Sequence, residues 1–428
     1  MGVYKKQNPE RFQTIPTTIS NVVGGVSSTY TQGDVDMFTS RHVAGNDYSP
    51  PVGIVLYDDG VVLAAQGDDF GIVSFFNTTT AKTDAAFKDA ASTGFIKDIF
   101  DDGSNIYTVG QDTSTTSYVQ KFGRGGTFVS GKRFTTGAGA THDTVYSDGT
   151  NIFSCGSFDS GGLKSFIIKL DTDLALSLGK SAAGDYGTFR SLTSDGTNLY
   201  FSNNAVINSY LKSDLTLVGD KTLTIDSNNL TIGGVLVDGS NLVCAGYDTS
   251  NNASIVIIQS DLGGVGAGAL QDSGTDVKIN EVIKHGSNYF CIGTSTESDT
   301  RAVILEFNSS LELQNAKTIS TVSGLDMRGD SLISDGTDIY IAMSDSLVGA
   351  GASTNPILRI KNADLSGGSL TSDNPVVYTF EDYTITFASA TPALADVTQT
   401  ISTGYSPSLS VDTAVDIDKA QDVLTPFT

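Results

Sequence analysis

A short string, Asp-Gly-Ser/Thr-Asn followed by an apolar run, returns along the whole middle of this chain. It reads DDGSNIYTVG at 101–110, SDGTNIFSCG at 147–156, SDGTNLYFSN at 194–203, VDGSNLVCAG at 237–246, KHGSNYFCIG at 284–293 and SDGTDIYIAM at 334–343, with a looser copy, YDDGVVLAAQ, at 57–66. Taking the residue before each turn glycine as the anchor gives Asp59, Asp102, Asp148, Asp195, Asp238, His285 and Asp335, separated by 43, 46, 47, 43, 47 and 50 residues. Seven copies at so regular a step mean that one supersecondary unit is repeated, each copy leaning on the next.

Within a copy the residues read as four short strands. An alternating segment such as GFIKDIF or VKINEVI precedes the corner. Asp and Asn make local backbone bonds and tolerate left-handed geometry, and Gly adopts it without steric cost, so the corner is a hairpin turn. The run after it (IYTVG, IFSCG, LVCAG, YFCIG) is nearly all apolar, as suits a strand covered on both faces. A third strand follows (SYVQKF, SFIIKL, SIVIIQ, AVILEF), then a polar turn and a weaker fourth strand such as TFVSGKRF, expected to be where a blade meets solvent. A period near 46 with four strands per unit predicts an all-β fold, a seven-bladed β-propeller, or six or eight blades if a terminal copy is incomplete. The expected division is an N-terminal arm over 1–50, the propeller over 51–375 and a β-rich C-terminal arm over 376–428, which holds either a strand that closes the ring or an arm that pairs with another chain.

The corner residues Asp59, Gly60, Asp102, Gly103, Asp148, Gly149, Asp195, Gly196, Asp238, Gly239, His285, Gly286, Asp335 and Gly336 are therefore read as structural. His285 stands in the place of an Asp without disturbing the pattern, which a repeated hard-cation site would not tolerate. Asp171-Thr172-Asp173 and Asp34-Val35-Asp36 have the spacing of calcium ligands but lack the Gly and Glu of the full loop. FGRGG (122–126) and DLGGVGAG (261–268) lack the Lys-Ser/Thr ending and the following helix of a phosphate-binding loop. The histidines, His42, His142 and His285, are scattered, and no Ser/His/Asp elbow is present. Cys155, Cys244 and Cys291 all fall in second strands of different copies, too far apart to pair, and read as small buried hydrophobes. No catalytic, cofactor-binding or metal-binding residue is assigned, and no cofactor is expected.

Composition narrows the partners. The net charge of −23 argues against specific or nonspecific nucleic-acid binding, because an acidic surface repels phosphate. No run approaches the ~18 apolar residues of a membrane span. The N-terminus, MGVYKKQNPERFQTIPTTIS, lacks the apolar core of a signal peptide, so the chain is expected not to be exported by a leader. Asn229 and Asn252 match glycosylation acceptors, a match with little meaning without such a leader.

The Asp-Gly-Ser/Thr-Asn-Ile-Tyr repeat, over about 51–375, resembles β-propeller repeat proteins, and in style the propeller-bearing tail and nozzle proteins of bacteriophages. It lacks the Gly-His and Trp-Asp signatures of WD-repeat propellers, since the chain contains no Trp. The resemblance implies a non-enzymatic structural or assembly component of a virus particle, made in the host cytoplasm and located in the virion. Its propeller and arms would pack against other virion proteins around the genome exit path, as a homo-oligomeric ring with a host-surface receptor among its contacts. Two further readings are a cell-surface or secreted propeller that binds glycan or protein, which needs aromatic platforms on its loops, and a polysaccharide lyase or hydrolase, which needs clustered His, Arg and acids at the channel mouth.

Overall fold

The computed structural model describes residues 20–23, 26–29 and 35–41, most of 51–365 and most of 378–416. It is an all-β, seven-bladed propeller. Blade two is representative: Phe95–Asp101, Asn105–Thr113, Thr116–Gly123 and Thr127–Thr135 form an antiparallel meander from the channel outward. Innermost strands of the other blades are Pro51–Tyr57, Ala140–Ser147, Phe189–Ser194, Thr231–Asp238, Val277–His285 and Met327–Ser334, for blades one and three to seven in turn.

The core is divided among the junctions between blades. Seven clusters of buried apolar residues each join two neighbours. One holds Tyr107, Val109 and Phe134 of blade two against Val145, Ile152 and Phe166 of blade three. The ring closes in the same way, with Ile54, Leu63 and Phe76 of blade one packed on Tyr340, Ala342 and Ile357 of blade seven. A single blade is too thin to bury both of its faces, so each depends on its neighbours.

Both terminal segments take part in the rim. Blade seven ends its own run at its third strand, Thr354–Ile360, and Val35–Arg41 supplies the fourth, with Ile357 opposite Phe38. The C-terminal segment then runs backwards around the outside as a belt. Tyr378–Asp382 pairs with blade six, Phe387–Ser389 with five, Pro392–Asp396 with four, Thr400–Thr403 with three, Ser408–Asp412 with two and Ala414–Asp416 with one. The fourth strands of those blades, expected to face solvent, are thus covered by a fifth. Strand twist of about 20–25° per neighbour turns an outer strand some 60–75° from the innermost one, so it lies along the rim, where one extended chain can pass from blade to blade.

Belt residues also pack inward. Phe380 is fully buried in the cluster between blades six and seven, with the Lys317 ammonium 5.4 Å from its ring centre. Phe387 meets Phe307 edge-on at 5.0 Å. No helix among the described residues is long and apolar enough to cross a membrane. Because Phe380 fastens the first belt strand to two blades, Phe380→Ala should cost about 3–5 kcal/mol of stability in urea unfolding. A loss below about 1 kcal/mol would mean that the belt is not fastened there.

Candidate functional site

Two polar layers hold the ring together, one on the face bearing the first hairpins and one on the channel wall. On the hairpin face, one carboxylate oxygen of the corner Asp serves its own turn. Asp102 Oδ1 accepts from the amides of Ser104 (2.9 Å) and Asn105 (2.7 Å). Asp148, Asp195 and Asp335 do the same for the two amides beyond their glycines. The second oxygen reaches a further partner. Ser147 Oγ of blade three donates to Asp102 Oδ2 at 2.8 Å, Lys212 of blade four sits 2.7 Å from Asp148 Oδ2, and Tyr200 OH donates to Asp195 Oδ2 at 2.7 Å. The glycines Gly103, Gly149, Gly196 and Gly336 have φ between +79° and +96°, where a side chain would strain the turn.

In copies five and six the ladder runs one pair further. Asp238 faces Asn241 and His285 faces Asn288 across two-residue turns, with Gly239 and Gly286 at φ +61° and +59°. This shorter turn is closed by the ladder itself. His285 directs Nδ1 to Ser334 Oγ of blade seven at 2.7 Å, and Asp238 accepts from Lys284 and Tyr289 of blade six at 2.5 and 2.6 Å. In copy one Asp59 lies outside the described residues, and Gly60 is within its strand, opposite Tyr57.

The remaining candidates are also placed. Asp171 Oδ1 accepts from the Asp173 and Ala175 amides, closing a turn. Val35 and Asp36 are ladder residues of the blade-seven rim, and Asp34 and His42 lie outside the described residues. In FGRGG, Arg124 bridges Asp101 of its own blade and Asp58 of blade one; in DLGGVGAG, the Gly263 amide bonds Asp261. His142 is fully buried between the rings of Phe134 and Phe166, at 4.8 and 4.9 Å, with Ser154 Oγ 2.8 Å from Nδ1. Burial lowers its pKa to about 3, so the imidazole is neutral. All three cysteines are buried in junction clusters, where desolvation pushes the thiols up.

The channel wall carries a feature that no single copy reveals. All seven innermost strands contain a bulge at the same place, and the extra residues are Val52, Lys97, Asp143, Arg190, Gly233, Asn280 and Asp330. An innermost strand pairs on one side only, so some of its amides face the channel without a ladder partner. At four of the junctions the residue after the bulge in one blade satisfies such an amide in the next. Asp98 Oδ2 accepts from Val145 N (2.9 Å) and Thr144 Oγ1 (2.7 Å). Ser191 Oγ accepts from Val235 N (3.1 Å), Glu281 Oε2 from Leu332 N (2.9 Å) and Ser331 Oγ (2.6 Å), and Ser331 Oγ from Ile54 N (3.3 Å), which joins the last blade to the first.

These acids titrate high. Desolvation raises Asp98 and Asp143 to about 6 and Glu281 and Asp330 to about 7, only partly opposed by the bonds they accept. The Asp98 charge adds to the rise at Glu281, although blades one and seven lie between their blades. Both residues retain partial solvent contact. Sequence reasoning passed over Asp98 and Glu281; the signal was an acid four residues before the anchor in copies two and six. Among the described residues, no group of three or more His, Cys, Asp or Glu is placed to hold a metal ion.

No family model matches this chain, and no curated protein does. Among solved structures it is similar to BamB from Moraxella catarrhalis, with 11% identity, a TM-score of 0.46, and 77% of this chain and 99% of that one covered. It is also similar to the Dos1 propeller, with 12% identity, a TM-score of 0.47 and coverage of 72% and 78%. At these identities the likeness concerns the fold.

Each polar layer can be tested by substitution. On the hairpin face, Asp195→Ala removes the acceptor of two turn amides and of Tyr200 OH, and should cost about 1–2 kcal/mol. Asp195→Asn, which keeps one acceptor, should recover most of that, and equal losses in urea unfolding would count against the turn role. On the channel wall the test is pH. An acid whose folded pKa lies above its ordinary value binds a proton more tightly when folded, so its contribution is complete below about pH 4 and is lost as pH rises through 6–7. Glu281→Gln keeps an acceptor for Leu332 and cannot ionise. It should raise Tm by about 2 °C or more at pH 8 and leave it nearly unchanged at pH 5. An equal effect at both pH values would contradict the assignment.

Proposed function

We propose that this propeller is a non-enzymatic structural component of a virus particle, a bacteriophage tail protein of the nozzle or tail tip. The observation that carries the reading is the use of both terminal segments as rim strands. Described strands within 35–41 and 378–416 add to the outer edges of all seven blades, and a ring whose edges are covered in this way suits a part that holds a fixed place in an assembly. The acids, histidine and cysteines that could serve chemistry support the same reading, because they are committed to turns, blade junctions and core. The virion assignment itself rests on the likeness of the repeat to tail and nozzle propellers.

On this reading the partners are other virion proteins and further copies of this chain in a ring around the genome exit path, with a host-surface receptor as an additional contact. The acidic balance suits such a path, since negative groups facing a ring lumen keep DNA from adhering. The test is sedimentation of native source material, following this chain by peptide mass spectrometry. Pelleting with particles in a fixed ratio to other proteins is the expected result. Recovery at the size of one propeller would overturn the reading and favour the glycan- or protein-binding alternative.

A further inference from the structure

At two of the ring's junctions the channel wall is joined through a carboxyl. Between blades two and three, Asp98 Oδ2 takes the Val145 amide at 2.9 Å and the Thr144 hydroxyl at 2.7 Å. Between blades six and seven, Glu281 Oε2 takes the Leu332 amide at 2.9 Å and the Ser331 hydroxyl at 2.6 Å. We propose that these two junctions are proton-dependent seams, which hold while Asp98 and Glu281 are neutral and loosen on the channel side when they ionise. They divide the ring into an arc of blades three to six and an arc of blades seven, one and two.

The other junctions are built differently at the same wall position. Glycine takes the acid's place in blades one and five, and the next strand lies directly against it. A Cβ on Gly53 would lie 2.6 Å from Ile99 Cγ2, and one on Gly234 would lie 2.9 Å from the Val282 nitrogen. In blade three the residue is Thr144, whose hydroxyl is already given to Asp98. Between blades four and five the acceptor is the neutral hydroxyl of Ser191, and between blades seven and one that of Ser331. The remaining acids of the wall are held otherwise. Asp143 reaches blade four only through a 3.4 Å bond from the Phe189 amide, and Thr141 and the charge of Lys97 favour its anion. Asp330 bonds Ser344 of its own blade, with the charge of Arg328 near it.

The cations around the two seam acids are engaged elsewhere. Near Asp98 stand Lys97 and Asp101 on its own strand, Tyr107 on the second strand, and His142 and Asp143 on the facing strand of blade three. The blade-one strands packed against it, Pro51–Tyr57 and Gly60–Gln66, add only Tyr57. Lys97 acts on Asp143, and His142 is neutral. Near Glu281 stand Lys278, Lys284 and His285 on its own strand, Tyr289 and Cys291 on the second, and Arg328 and Asp330 on blade seven. Blade five adds Asp238, Cys244 and Tyr247. Lys284 pairs with Asp238, Lys278 lies over the Tyr247 ring at 5.4 Å, and His285 bonds Ser334.

Without a cation, removal from water dominates. It lifts Asp98 to about 6 and Glu281 to about 7, and the amide and hydroxyl bonds offset only part of the rise. An acid that titrates higher in the closed wall than in water binds its proton more tightly there. The closed seam is therefore favoured most below about pH 4 and loses ground as pH rises through 6 to 7. Charge on Asp98 also raises Glu281, so one seam feels the other. A buried carboxylate is costly until it meets water, and parting the wall at its own junction supplies that contact.

The test is site-resolved amide hydrogen exchange of the full-length chain at pH 5 and pH 8, with rates corrected for the intrinsic pH dependence of exchange. From ordinary values near 4, linkage gives a fall in protection of about tenfold at Val145 and a larger fall at Leu332. Val235, held by Ser191 in a junction without an acid, should change by less than about twofold. Asp98→Asn should abolish the response at Val145 and keep most of that at Leu332, and Glu281→Gln should do the reverse. Protection that stays flat or rises at both amides would overturn the proposal. An equal fall at Val235 would overturn it too, since the whole ring would then loosen without seams.

Discussion

Every blade of this protein is a sheet with two edges, and an edge carries backbone groups that need partners. The inner edge faces the channel, where no further strand fits. The outer edge faces solvent, where an open strand invites association. At four junctions a side chain of the preceding blade helps satisfy the inner edge: Asp98, Ser191, Glu281 and Ser331 each accept an amide from the next innermost strand. The belt satisfies the outer edge of six blades, and an N-terminal strand finishes the seventh. Each solution links one blade to another, so meeting the hydrogen-bond requirement also fastens the ring.

The two layers differ in chemistry because their surroundings differ. On the hairpin face the corner carboxylates are partly solvated and meet cations and amides. At Asp148, burial alone would raise the pKa, but Lys212 and the turn amides outweigh it and hold the carboxyl below its ordinary range. On the channel wall, neighbouring hydroxyls and amides are too few to offset desolvation, and the acids titrate near 6–7. The same chemical group thus has its pKa held down at the Asp148 corner and pushed up at the centre by burial.

Local turn chemistry explains why the repeat and its corners are legible in the amino-acid string. Asp, Gly and Asn act within four residues of one another, and a repeated local signal survives in a linear chain. His285 shows the limit of that reading. Its copy looks the same in sequence, yet its ladder runs one pair further and its side chain serves blade seven instead of its own corner. Glu281 and Asp98 were invisible for a related reason, since their equivalents in other copies are Thr144, Ser191, Gly234 and Ser331. The position is fixed by the bulge and the junction, while the residue there varies from acids to Ser, Thr and even Gly, so no common residue type marks it.

By itself the sequence determined the all-β class, the repeated four-strand unit and the hairpin within each copy, because those follow from short-range backbone preferences repeated along the chain; that the ring closes with seven blades was settled by the structure. The tertiary structure alone decided what happens to the ends. A belt strand of three to five residues carries too few alternations to declare a partner, and its spacing acquires meaning only when outer strands already lie along a rim. Phe380 pairs with Ile319, but Val35–Arg41 pairs with Thr354–Ile360, more than 300 positions away in the chain. Such pairings are set by ring closure, which brings the first and last blades together, and no local preference encodes that meeting.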